Sequence, residues 1–126
     1  MAESGAQSIR DLLRDGVLAT SRLTEMEVAS ALSRRCREGA LTAADRDRAI
    51  VAVHRDLDSL YVIDLTPDVV ARSVGLLARL PLRAADALQL ASCLELQHRL
   101  RTRCLFVCCD DRLLAAARQE GLATAP

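Results

Sequence analysis

The stretch "CLFVCCDDRLLAAA", residues 104 to 117, decides how this chain is read. An apolar run of strand character stops at two aspartates, and a helical pattern follows. Upstream, "YVIDL" (61 to 65) does the same: β-branched and apolar residues, then an acid, then the helix start "TPDVV". Strand, short turn and helix recur along the sequence, which is the signature of an α/β domain with a mostly parallel sheet. In such sheets, side chains at the carboxyl ends of the strands build the functional site. Asp110 and Asp111 stand at such an end.

The remaining elements follow from end signals. "SIRDLLRDG" opens on Ser8 and closes on Gly16 as a short helix. "VLATS" (17 to 21) is a short strand. "TEMEVASALSRRCREG" has Thr24 as N-cap, Glu27 three residues on and Gly39 as terminator, so it reads as a helix. "TAADRDRAIVAVHRDLDSL" repeats the device with Thr42 and Asp45, and Ile50, Val53, Leu57 and Leu60 recur at helical spacing. In "TPDVVARSVGLLARL", Pro67 takes the first helical position after Thr66, and Val70, Val74 and Leu77 lie on one face. "RAADALQLASCLELQHRL" is a helix, "CLFVCC" a buried strand, "DRLLAAARQEG" a helix ended by Gly121, and "LATA" a last short strand.

Composition bounds the function classes. The 126 residues suit one compact domain, and 51% hydrophobic with 27% charged residues is a globular balance. Seventeen basic residues offset seventeen acidic ones, so net charge alone points to neither nucleic acid nor membrane. Every basic residue is Arg, which excludes a catalytic Lys and with it a receiver-type signalling domain. No apolar run is long enough to span a bilayer, and the N-terminus lacks signal-peptide pattern. Five cysteines without framework spacing are expected as reduced, buried thiols in a cytoplasm. Cys104, Cys108, Cys109 and His98 do not make zinc spacing.

Three acids stand out as a possible constellation. Glu27 lies in the first turn of its helix. Asp86, in "LRAADALQLA", sits near a helix start among apolar residues, where an unpaired carboxylate is costly. Asp110 follows the strand directly. Converging carboxylates repel, and a divalent cation such as Mg²⁺ or Mn²⁺ relieves that repulsion through oxygen ligands. Each acid also has a purely structural reading: Glu27 closes a capping box with Thr24, Asp86 complements a helix dipole, and Asp110 caps the last helix.

The segments "TSRLTEMEVASALSRR", "LRAADALQLASCL" and "FVCCDDRLLAAARQEGL" resemble, in order and spacing, the three motif regions of PIN-domain proteins, in particular VapC-type toxins of bacterial toxin–antitoxin pairs. The likeness covers nearly the whole chain. It implies a three-layer α/β/α sandwich and a metal-dependent endoribonuclease. Glu27, Asp86 and Asp110 would hold Mg²⁺ or Mn²⁺, with Asp111 auxiliary. It also implies an RNA substrate, a cognate antitoxin that blocks the acidic cleft, and a homodimer, for which the helix pair 24 to 57 has apolar surface. The alternative is a catalytically impaired PIN-like module that binds an antitoxin or partner chain.

Two departures accompany the resemblance. Cys108 stands where the family usually has Thr or Ser. The family's first strand, with its first Asp, has no match here; Asp11 falls in a helix pattern. The chain is therefore expected to be one domain over residues 1 to 126, truncated at its N-terminus. "QHRLRTR" (97 to 103) offers arginines for phosphate contact or simply a solvated helix end. One Tyr and one Phe give no aromatic platform for base stacking.

Overall fold

The computed structural model describes residues 18–126. The helix expected over 8 to 16, Asp11 within it, and Val17 of the first expected strand lie outside them. The described chain runs β1 (Ala19–Ser21), α1 (Leu23–Arg37), α2 (Ala43–Asp58), β2 (Tyr61–Ile63), α3 (Pro67–Arg79), α4 (Ala84–Leu100), β3 (Leu105–Val107), α5 (Asp111–Gln119) and β4 (Ala123–Ala125). This is the expected α/β alternation, and both strand pairs are parallel. The sheet differs from expectation in one respect. Among the described residues it is two separate ribbons, β1 with β2 and β3 with β4.

Local chemistry fixes most boundaries. Thr42 caps α2 by accepting from the Asp45 N–H at 3.1 Å. Thr66 caps α3 by accepting from Val69 N–H at 3.3 Å, with Pro67 in the first turn where its missing N–H costs nothing. Gly39 and Gly121 take left-handed φ values of 81° and 85° just past their helices, a conformation that a Cβ would penalise. Arg101 adopts the same region, φ 50°, to end α4. The strands are shorter than the apolar runs in the sequence: "CLFVCC" gives only Leu105–Val107, which puts Cys108 and Cys109 in the turn before α5. Cys109 is consequently exposed, against the expectation of a buried thiol.

The core lies under β2 to β4. Leu76, Leu90 and Val69 are fully buried, joined by Ile63, Phe106, Leu113 and Ala117 from the surrounding elements. The buried face of α3 is Val69, Ser73 and Leu76, with Leu80 at its end, not Val70, Val74 and Leu77, which are 45%, 61% and 39% exposed. Both stripes have helical spacing, so periodicity alone could not choose between them. The inward Ser73 hid the true stripe: its hydroxyl donates to Val69 C=O at 2.9 Å and so can be buried. The helix pair α1 and α2 stands apart from this core. No residue of α1 is buried and only Leu57 is in α2, while Met26 and Val51 are exposed.

One buried carboxylate braces α3 against α4. Glu95, 6% exposed, accepts from Arg72 at 3.1 and 3.2 Å and from Arg99 at 3.2 Å. Burial pushes its carboxyl up, but the hydrogen bonds from Arg72 and Arg99 outweigh that and hold it below the usual carboxylate range. A group whose folded pKa is depressed stabilises the fold above its unfolded pKa, and that contribution is lost as pH falls through the folded one. Both arginines are partly open to solvent, so screening limits the effect. Glu95→Gln is expected to cost about 1 kcal/mol at pH 7. The gap to wild type should close below about pH 4, a window that denaturant melts across pH would locate.

Candidate functional site

Of the three candidate acids, Asp110 stands where a strand hands over to a helix, Asp86 lies at the start of α4 and Glu27 on α1. Asp110 leaves the end of β3 and is the N-cap of α5. Its Oδ1 accepts from the N–H of Arg112 at 2.9 Å and of Leu113 at 3.3 Å. Asp111 follows as the first helical residue and is exposed. Asp86 lies in the first turn of α4, half-buried. Burial pushes the Cys108 thiol up, a backbone hydrogen bond at Asp110 opposes that, and the nearby charges of Asp110, Cys109 and Asp86 add to the upward push. Cys108 thus senses both acids.

Glu27 reaches the same region from α1. The capping box expected with Thr24 does not form. The helix starts two residues earlier, at Leu23, whose N–H is taken by Ser21 Oγ at 3.1 Å, and the N-cap position is Arg22 without a side-chain cap. Thr24 instead pairs its hydroxyl with Thr20 at 2.8 Å. Gln89 Nε2 then donates to Thr24 Oγ1 at 3.1 Å and to Glu27 Oε1 at 2.6 Å. Glu27 is therefore turned toward α4 rather than toward its own helix end. Gln89 is one turn beyond Asp86 on that helix, so it aligns the Glu27 carboxylate with the Asp86 face.

Gln89 was not singled out from the sequence. Its one signal was the spacing from Asp86 in "DALQLA", which places the two on one helix face.

The donor set is three hard oxygen ligands, the type that Mg²⁺ and Mn²⁺ prefer. As positioned, however, the carboxylates do not close round an ion: no three His, Cys, Asp or Glu side chains among the described residues are grouped tightly enough to hold a metal. Asp110 caps α5 and Glu27 holds Gln89.

The capping role of Asp110 can be separated from any chemical role. Asp110→Ala is expected to destabilise the domain by roughly 0.5–2 kcal/mol through loss of the cap. Asp110→Asn keeps an acceptor for Arg112 and Leu113 and should cost only a few tenths. Urea melts of both variants check this.

Other candidates are now placed. His54 is exposed on α2 with Nδ1 3.1 Å from Glu25, a link between α1 and α2 rather than a catalytic pair. Burial, with Cys104 alongside, pushes the Cys93 thiol up to about 12, so it is a protonated filler under the sheet. Of "QHRLRTR", Gln97 accepts from Cys104 N–H at 3.0 Å and Arg99 serves Glu95, leaving His98, Arg101 and Arg103 at the surface. No helix among the described residues is long and apolar enough to cross a membrane.

Comparison with known proteins adds one finding: a family model described as PIN domain matches residues 2–119. No curated protein matches the chain.

Proposed function

The chain belongs to the PIN domain family, and from that premise we propose that it is a metal-dependent endoribonuclease, the toxin of a VapC-type toxin–antitoxin pair, hydrolysing RNA phosphodiester bonds. PIN domains are in general nucleases that use divalent metal ions. The observation that supports the reading is the hydrogen bond from Gln89, one turn beyond Asp86 on α4, to the Glu27 carboxylate of α1, with Asp86 near enough to add its charge at Cys108 beside Asp110. Glu27 supports it most, because its carboxylate accepts from Gln89 of α4 rather than serving its own helix end.

In this reading Glu27, Asp86 and Asp110 are the residues that would hold Mg²⁺ or Mn²⁺, and Asp111 is auxiliary. A bound ion supplies neutralisation of phosphate charge and a more acidic water. The chain's own residues prepare for it. Gln89 orients Glu27, the α5 N-terminus fixes Asp110 through Oδ1, and the half-burial of Asp86 limits competing water. Arg101 and Arg103, exposed beyond α4, are available to phosphates along the RNA backbone.

The proposed setting is cytoplasmic, as a single domain over residues 1 to 126. The cognate antitoxin is proposed to cover the acidic end. The homodimer is proposed to form through α1 and α2, whose exposed Met26 and Val51 and lack of buried residues in α1 support an apolar contact. The test is gel analysis of RNA incubated with the purified chain and Mg²⁺ or Mn²⁺. Cleavage that chelation stops supports the proposal; a folded chain with no cleavage moves the reading to a PIN-like binding module.

A further inference from the structure

Every exposed residue of α3 between Asp68 and Arg79 is apolar: Val70, Ala71, Val74, Gly75, Leu77 and Ala78. Val74, in the middle of this outward face, is 61% exposed. The inward face is Val69, Ser73 and Leu76. The polar residues of the middle turns are spent elsewhere. Arg72 donates to Glu95 of α4, and Ser73 donates to Val69 C=O. By contrast α2 exposes Asp47, Arg48, Arg55 and Asp56. A surface helix ordinarily carries polar side chains outward, and one that is apolar all round is a helix that something covers.

The charges at the two ends of this face identify the cover. Asp68 is exposed in the first turn of α3 and Arg79 in the last. They are three turns apart, so they lie on one flank of the helix. Glu120 holds Arg79 in place at 2.6 and 3.0 Å, yet the arginine side chain stays 56% exposed. A face with an acid at one end and a base at the other is complementary to itself when turned end for end. A two-fold axis between residues 73 and 74 does this and brings like flanks together. Asp68 then meets the partner's Arg79, Val70 meets the partner's Leu77, and Val74 packs beside its own copy. A parallel pairing would instead set acid on acid and base on base. Ala71, Gly75 and Ala78 let the backbones approach, and even a Cβ at Gly75 would meet nothing within 4 Å in the single chain.

We propose that the outward face of α3 is an interface between two copies of this chain, packed antiparallel with Asp68 of each copy against Arg79 of the other. The contact uses a different helix from the α1 and α2 contact proposed above. It rests neither on that contact nor on the nuclease reading, and its readout is independent of RNA cleavage.

The test is the particle mass of the full chain by sedimentation velocity across the micromolar range. Wild type should form particles of at least two chains. Val74→Arg puts an unpaired charge at the centre of the contact and should weaken association by at least about tenfold. Its fold should hold, because the side chain it replaces is exposed; circular dichroism checks this. Asp68→Arg sets like charges together and should weaken association as well. Met26→Arg on α1 should leave the α3 contact, so particles of at least two chains should remain. Under oxidation Val74→Cys should cross-link to its own copy beyond the wild-type background. Val70→Cys, about 10 Å from its own copy along the axis, should not. A wild-type monomer throughout that range overturns the proposal. So does a wild-type particle whose mass survives Val74→Arg, or one that Met26→Arg alone reduces to single chains. Association of Asp68→Arg as tight as wild type, or equal cross-linking at residues 70 and 74, overturns the antiparallel packing and the proposal with it.

Discussion

Asp86→Asn is expected to lower RNA cleavage by at least about a hundredfold while leaving the fold intact, the largest effect that any single substitution in this chain should have on activity. The change is isosteric. It removes a charge from the first turn of α4, where a negative charge is favourable, so the stability cost is about 0.3–1 kcal/mol. A loss of activity far beyond that cost cannot come from unfolding. The reason to expect it lies in placement: Asp86 is the half-buried acid of the three, one turn from the Gln89 that holds Glu27 and near enough to add its charge at Cys108 beside Asp110. Circular dichroism and a urea melt, run beside the cleavage assay, separate the two effects. Asp86→Asn with near wild-type cleavage would remove this residue from the proposed site.

The largest effect on stability should come from Leu90→Ala, a loss of about 2–5 kcal/mol. Leu90 is fully buried in the middle of α4, in one cluster with Ile63, Val69, Leu76, Phe106 and Leu113 from β2, α3, β3 and α5. Truncation leaves a cavity in this cluster, in the helix that packs most closely against α3. Native stabilities are themselves only about 5–15 kcal/mol, so the loss would be a large share of the total. By contrast Met26→Ala on α1 should be nearly neutral, because its side chain is 69% exposed. Denaturant unfolding of the two variants side by side reads the difference.

The fold was legible because end signals and apolar runs agree. Thr42 and Thr66 cap the helices that their spacing announces, Gly39 and Gly121 lie just past the helices they were expected to end, and each apolar run marks a strand. Legibility failed where two patterns satisfied the same rule. In α3 both Val69–Ser73–Leu76 and Val70–Val74–Leu77 recur at helical spacing, and burial of a hydroxyl that finds Val69 C=O chose the less apolar one.

At α1, a Thr-x-x-Glu pattern fitted a capping box. The structure spends those residues on contacts between elements, Thr24 with Thr20 and Gln89, and Glu27 with Gln89. Such long-range hydrogen bonds leave no local trace in a sequence. The three candidate acids could be named from type and position, and Asp110 proved also to be the cap that its position allowed. What spacing could not give is the partner that orients Glu27, or the division of the sheet into two ribbons.

The site and the scaffold are linked through α4. The same helix carries Asp86 and Gln89 on one stretch, Leu90 in the core and Glu95 in its ion network. A fault in its packing should therefore reach the acids, whereas faults in the α1 and α2 pair should reach them only through Glu27.

The account rests on this chain being a nuclease that acts through its acidic end. The most direct measurement is cleavage of a labelled single-stranded RNA by the purified chain, with Mg²⁺ or Mn²⁺ and again with the ions chelated. The account predicts discrete cleavage products that require the ion and are restored when it is added back. An intact RNA under every condition, with a chain that melts cooperatively, would contradict it.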